Sequence, residues 1–224
     1  MTNRAKLGIS AIAAAAAIGL PLMFSWSRSA EAASSVPPAA MVEPSTSQSE
    51  VAVLAGGCFW GVEAVFEHVK GVTDVRSGFA GGGAKSADYQ SVSAGKTGKA
   101  EAVRISFDPR VVSYADLLRI FFAVAHDPTQ VNRQGPDVGP HYRSAIFAQS
   151  PAQARVARAY LAQLGKARTF PRPIATRLEQ GRFFEAEAYH QDFMRKNPSH
   201  PYVVVHDRPK LAALKRQFPA SWKG

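Results

Sequence analysis

An α+β sandwich with a mixed or antiparallel sheet is the fold class that this chain of 224 residues predicts. Three observations carry it. Apolar runs of strand length alternate with segments of helical period, no dinucleotide fingerprint follows any strand, and 46% of the residues are hydrophobic, enough for a sizeable core. That apolar content excludes disorder throughout. A single cysteine excludes zinc ribbons and disulfide-stapled scaffolds, and leaves Cys58 to work alone or with a thiol from outside.

The chain opens on what reads as an export signal over residues 1–32. Arg4 and Lys6 form a basic start, Leu7 to Leu20 is an alanine-rich apolar run, and Ala30-Glu31-Ala32 offers a cleavage site. Removal after Ala32 is predicted. The alternative is an uncleaved anchor, since the run stretches from Leu7 to Trp26, close to the roughly 20 residues that span a bilayer. An exported, periplasmic protein follows, or one held at the inner membrane by its leader. Loss of Arg4, Lys6, Arg28 and Glu31 takes the net charge from +10 to +8, and nucleic acid is not an expected partner of such a protein. Residues 33–49 are rich in Pro and Ser without a hydrophobic period, and read as a linker. Residues 50–224 form one domain.

Val51 to Ala55 is a continuous apolar run that stops at Gly56-Gly57, as a buried strand does. Val62, Val65, Phe66 and Val69 then recur at helical spacing, so a helix begins near Cys58. Val72 to Phe79 reads as a second strand, residues 81–98 as a long shaped loop, and Ala100 to Phe107 as a third strand closed by Asp108-Pro109. Ser113 and Asp116 have the spacing of a helix start, and that helix ends near His126. A loop from Pro128 to Tyr142 leads to a strand over Ser144–Ala148. A helix follows from Pro151 to about Lys166, then a strand over Ala175–Glu179 and two helices, Phe184–Met194 and Pro209–Phe218.

Gly57-Cys58-Phe59-Trp60-Gly61 sets the thiol at a strand-to-helix turn, where free N–H groups and the dipole favour a thiolate. Phe59 and Trp60 add a flat apolar surface beside the sulfur. A buried structural cysteine among core aromatics is the competing reading. Glu101 shares a strand face with Val103, Ile105 and Phe107, where burial would keep its carboxyl neutral and make it a proton donor. It could equally sit wet at the strand edge beside Lys99. The six histidines form no His-x-x-x-His pair, so no metal is expected, and Gly81–Gly83 lacks the ending of a phosphate loop.

Taken together, these blocks resemble the type A peptide methionine sulfoxide reductases. The likeness runs over roughly residues 50–200, through Gly57-Cys58-Phe59-Trp60-Gly61, Gly78 to Gly82, Asp88-Tyr89, Gly98 to Val103, His126-Asp127-Pro128, Arg133 to Asp137, Tyr142-Arg143-Ser144, Ala188 to Gln191 and Lys196-Asn197-Pro198. It implies a two-layer, mainly antiparallel sandwich with a ferredoxin-like core and no cofactor. It also implies that Cys58 attacks the sulfur of a methionine sulfoxide of S configuration, that Glu101 protonates the departing oxygen, and that Tyr89 and Tyr142 donate hydrogen bonds to it. Phe59 and Trp60 would hold the S-methyl group, and Asp137 would contact substrate or reductant. The chain departs from the family in having Phe79 where Tyr is common, Lys99 where His is common, and no cysteine after Lys196-Asn197-Pro198. A Cys58 sulfenic acid would then wait for an external, thioredoxin-like thiol. Oxidised proteins or peptides are the expected substrates, and a monomer the expected state. A non-catalytic methionine- or peptide-binding module and a single-cysteine thiol peroxidase are the competing functions.

Overall fold

The structure is a computed structural model that describes residues 36–83 and 86–224, together with Met1. Apart from Met1, the predicted export signal lies outside the described residues. Among the described residues no helix is long and apolar enough to cross a membrane.

The strands are β1 (Glu50–Gly56), β2 (Val72–Ala80), β3 (Ala100–Phe107), β4 (Arg133–Gln134), β5 (Asp137–Val138), β6 (Ser144–Phe147), β7 (Arg177–Glu179) and β8 (Phe183–Glu185). The helices are α1 (Phe59–Glu67), α2 (Tyr89–Ser93), α3 (Tyr114–Ile120), α4 (Pro151–Lys166), α5 (Phe193–Lys196) and α6 (Arg208–Gln217). Six strands make one sheet in the order β7-β6-β1-β3-β2-β8, while β4 and β5 form a separate hairpin. Every pairing is antiparallel except β6 with β7, so the sheet is mixed and mainly antiparallel. The central order β6-β1-β3-β2, with α1 linking β1 to β2 and α3 lying between β3 and β6 in the chain, is the ferredoxin-like arrangement that was expected.

Strand alternation decides which side chains meet the helices. Leu54, Phe79, Val103, Ile105, Phe107 and Ile146 join Val62, Val65 and Phe66 of α1 and Leu117 and Leu118 of α3 in the main core. The opposite face carries small residues, Ala55, Ala80, Ala100, Ala102 and Ala145, beside Val53 and Phe147. Each large aliphatic or aromatic side chain buried here contributes about 1.5–3 kcal/mol, and three of them follow Glu101 on the same face of β3. Their burial outweighs the cost of carrying an acid inward.

Local chemistry sets the ends of these elements. Ser113 and Asp116 form the capping box of α3, each side chain accepting from the other's backbone N–H. Beyond Ile120 the helix widens into a π-turn over Phe121–Ala125, and His126 then bonds Phe121 O at 3.0 Å and Ser144 Oγ at 2.7 Å.

Two expectations are corrected. The helix predicted over Phe184–Met194 is instead the edge strand β8, paired to β2, then a 3₁₀ turn over Ala188–His190 and the short α5. Asp192 has φ +56°, a left-handed conformation that breaks a helix, and the Gln191 amide takes over backbone bonding by pairing with Ser77 N, Ser77 O and Ala186 O. From Val36 to Glu43 the supposed linker is docked. Val36 is 1% exposed; Arg119 Nε, Tyr160 Oη and Gln163 Nε2 donate to the carbonyls of Val36, Pro37 and Pro38, and Arg155 pairs with Glu43. A proline-rich segment has less freedom to lose on ordering, so a few side-chain donors suffice to hold it without hydrophobic periodicity. The long loops are also more structured than predicted. Residues 81–98 contain α2, whose N-cap Asp88 accepts from Ser91 N, and the 128–142 loop contains the β4–β5 hairpin and a 3₁₀ turn over Pro140–Tyr142.

Candidate active site

The site forms where β1 gives way to α1. Gly57 has φ +89°, and a Cβ there would lie 2.5 Å from Gln134, so both the turn and the close approach of the β4 side chain require glycine. The turn delivers Cys58 as the N-cap of α1, 9% exposed, its side chain making no hydrogen bond to the helix start although the nearby Trp60 N–H favours the ion. The next free N–H of the helix, that of Phe59, donates to Glu101 Oε2 at 3.1 Å. One helix start therefore serves both the thiol and the acid, although they lie 43 residues apart in the chain.

Glu101 is 1% exposed, which removes the alternative of a wet strand edge. Burial raises its carboxyl to about 8, against the Phe59 N–H, which favours the ion, and with help from the charge of Asp137. The acid is thus mostly protonated at neutral pH. Lys99 donates to Gly83 O and lies 5.3 Å from the centroid of the Phe184 ring.

The thiolate expected from the helix start is not the resting state. Burial pushes the Cys58 thiol well above its ordinary value, and Glu101 adds to this. The helix end and the Trp60 N–H act the other way, but a helix terminus is worth about 0.3–1 kcal/mol, whereas full burial moves a pKa by up to about 3–5 units. Desolvation wins, and Cys58 rests as a thiol.

Tyr89 and Tyr142 close in from α2 and from the turn before β6. Both rings pack against the core that holds Cys58, and Tyr89 meets the His190 ring at 4.5 Å, the same ring that touches Phe59. Burial raises both phenols, and the charges of Glu101 and Cys58 add to it. Tyr142 is set by its neighbour. Arg143 donates to Glu179 on β7 at 2.9 and 2.8 Å, to Pro140 O at 3.0 Å and to Gly98 O at 3.0 Å, tying the Tyr142 turn to the entry of β3, three residues before Glu101.

Trp60 is half-buried and held on several sides. Phe193 stacks on it at 3.6 Å and 8°, Tyr202 meets it edge-on at 5.9 Å, and its indole Nε1 donates to His190 Nδ1 at 3.1 Å. Phe59 is buried beneath, against Phe79 and His190. Asp137 reaches the group through Tyr202, whose hydroxyl donates to Asp137 Oδ2. The structure therefore brings together Cys58, Glu101, Tyr89, Tyr142, Phe59, Trp60 and Asp137. Sequence reasoning missed Tyr202 and Phe193, which carry no motif of their own, and did not foresee that His190 fixes Trp60. Among the described residues no group of three or more His, Cys, Asp or Glu side chains is arranged to hold a metal ion.

A buried thiol, a carboxyl kept neutral beside it, two phenols and an aromatic notch are the equipment of a thiol-dependent oxidoreductase on a ferredoxin-like scaffold. The model of the peptide methionine sulfoxide reductase family matches residues 50–222. The chain belongs to that family, in its type A branch, and its reaction is the thiol-dependent reduction of methionine sulfoxide. It is 52% identical over 181 residues to peptide methionine sulfoxide reductase MsrA 2 of Mesorhizobium japonicum, covering 80% of this chain and 93% of the relative. It is 55% identical over 171 residues to MsrA 2 of Synechocystis, covering 76% and 80%. Among solved structures, reduced Mxr1 of Saccharomyces cerevisiae is similar with a TM-score of 0.60 at 33% identity, covering 72% of this chain and 92% of that one. Methionine sulfoxide reductase A of Corynebacterium diphtheriae is similar with a TM-score of 0.58 at 33% identity, covering 68% and 77%.

Proposed function

We propose that Cys58 is the nucleophile and Glu101 the proton donor of this reduction. The observation that carries the reading is the shared helix start, at which Glu101 is bonded to Phe59 N–H beside the Cys58 N-cap. The Cys58 sulfur attacks the sulfoxide sulfur, the sulfoxide oxygen takes up the Glu101 proton, and the proton given up by the thiol returns to Glu101. Methionine leaves, and the oxygen remains on Cys58 as a sulfenic acid. Tyr89 and Tyr142 donate hydrogen bonds to the oxygen as charge develops on it. Trp60 and Phe59 receive the S-methyl group, which with the fixed acid selects the S epimer, and the Asp137–Tyr202 pair lines the approach for the peptide.

The sequence holds one cysteine, so a thiol from outside attacks the sulfenic acid, expels water and forms a mixed disulfide, which a second thiol reduces. A thioredoxin-like donor suits the exported location that the basic start and apolar run of residues 1–32 support. A monomer is the proposed state. The test is incubation with excess dithiothreitol and a peptide containing methionine-S-sulfoxide. The wild type is expected to remove one oxygen per turnover, and Cys58→Ser to remove none while keeping its fold. Full activity in Cys58→Ser overturns the assignment.

A further inference from the structure

The C-terminal segment beyond Tyr202 packs a charge pair against the first turn of α1, its carboxylate buried and its ammonium partly so. Asp207 is 0% exposed and ends a wide helical turn over Val203–Asp207. Its Oδ1 accepts from Lys210 Nζ at 3.1 Å, and its Oδ2 has no hydrogen-bond partner. The pair meets α1 at Gly61. A Cβ on Gly61 would stand 2.0 Å from Asp207 Oδ1 and 2.6 Å from Lys210 Nζ, so the carboxylate fills the place that a side chain at residue 61 would occupy.

Residue 61 is the third helical position after the N-cap Cys58. Side chains at those two positions are neighbours, which is why an acidic residue at the third position closes a capping box; Cβ atoms three residues apart on a helix lie about 5–6 Å from each other. Asp207 is therefore a third-position carboxylate delivered from the far end of the chain, next to the thiol, with a cation behind it. Folding alone gives little reason for such a pair. Taking a carboxylate fully out of water is costly even with a partly buried cation beside it, and an apolar pair of equal volume is often as stable or more so. Buried charge beside a reacting group instead alters how that group holds its proton.

We propose that Asp207 and Lys210 are positioning residues that set the proton affinity of Cys58 with opposite sign, Asp207 keeping the thiol protonated at rest and Lys210 supplying the counter-charge as the thiolate forms. This rests on the reading of Cys58 as the nucleophile. The other titratable groups facing the thiol are Glu101 from β3, Tyr89 from α2, Tyr142 from the turn before β6, and Tyr202 with Asp137 behind it. His206 and Asp137 face Asp207. In keeping with the geometry, Asp207 raises the Cys58 thiol and Lys210 lowers it.

The test is the rate of Cys58 alkylation by iodoacetamide against pH in the full chain, for wild type, Asp207→Asn, Lys210→Met and the double variant, with circular dichroism to confirm the fold. Iodoacetamide reports the thiolate directly and needs no sulfoxide, so its outcome is separate from reductase activity. The midpoint is expected to fall in Asp207→Asn and to rise in Lys210→Met, each by roughly one pH unit, and to return toward wild type in the double variant. Midpoints that stay in place, or that move in the same direction, overturn the proposal. Asp207→Asn keeps the shape of the side chain and decides the question alone if Lys210→Met does not fold.

Discussion

Replacing Glu101 by glutamine separates what one carboxyl does for stability, for the thiol and for the reaction. Glutamine keeps the acceptor for the Phe59 N–H and the volume of the buried group, but removes the proton that is given away. In the wild type the native carboxyl holds its proton up to about 8, against an ordinary 4.5. Between those values the folded chain binds a proton that the unfolded chain has released, so stability declines as pH rises through that window. By pH 7 the penalty is about 3 kcal/mol, which the amide does not incur. Glu101→Gln is therefore expected to melt about 6–10 °C above wild type at pH 7, with the gap closing toward pH 4. Its thiol, relieved of a neighbouring carboxylate, should alkylate faster near pH 9. Sulfoxide reduction should move the other way, with the single-turnover rate of methionine formation about 10²–10⁴-fold slower. Rapid-quench kinetics, alkylation and thermal melts on the same protein measure all three. A single-turnover rate equal to wild type removes Glu101 from proton donation, and an amide variant less stable than wild type at pH 7 refutes the burial argument.

Without a reductant, stoichiometric sulfoxide should yield about one methionine per chain and a sulfenic acid that dimedone traps, as read by mass spectrometry; free-thiol recovery without added reductant would show another resolving route. Arg143→Lys exchanges a fork that grips Glu179 and two carbonyls for a single ammonium, so kcat should fall about 10- to 100-fold, with KM changing much less, as the Tyr142 turn loosens from Glu101. Equal loss in kcat and gain in KM would place Arg143 in binding instead. Tyr160→Phe removes the 2.6 Å bond to Pro37 O and should cost about 1 kcal/mol, or roughly 2–4 °C in Tm, with the rate of reduction unchanged; an unaltered melt would show that the docked N-terminal segment adds no stability.

Where the sequence was legible, a single period decided the outcome. Val62, Val65, Phe66 and Val69 make sense only on a helix, and Val103, Ile105 and Phe107 only on a strand; that pattern made Glu101 a candidate for the core, but its place at the strand's start left a wet edge equally open until its burial was seen. The stretch from Phe183 to Lys196 defeated the same logic because its aromatic residues satisfy strand, turn and helix in succession, and a left-handed Asp192 leaves no trace in composition. The docked residues 36–43 were missed because carbonyl acceptors and distant donors, rather than apolar spacing, hold them. At the site, Cys58 and Glu101 were identified by position, but the charge state of the thiol was not. A helix start can be read from neighbouring residues, whereas the depth at which it lies depends on Tyr202, Asp207 and the rest of a segment some 150 residues away.

The near-closure of the sulfur, 9% exposed at the foot of Trp60, bears on what happens between turnovers. An enzyme with a partner cysteine can shelter its oxidised state in a ring, whereas this chain must keep a lone S–OH intact until a donor arrives. Burial of the sulfur limits how readily a second oxidant reaches it, and irreversible sulfinic damage is the outcome that such burial works against. A donor has to bring its own sulfur to a residue that is only 9% exposed, so the wait of the intermediate and the approach of its reductant depend on the same restricted access.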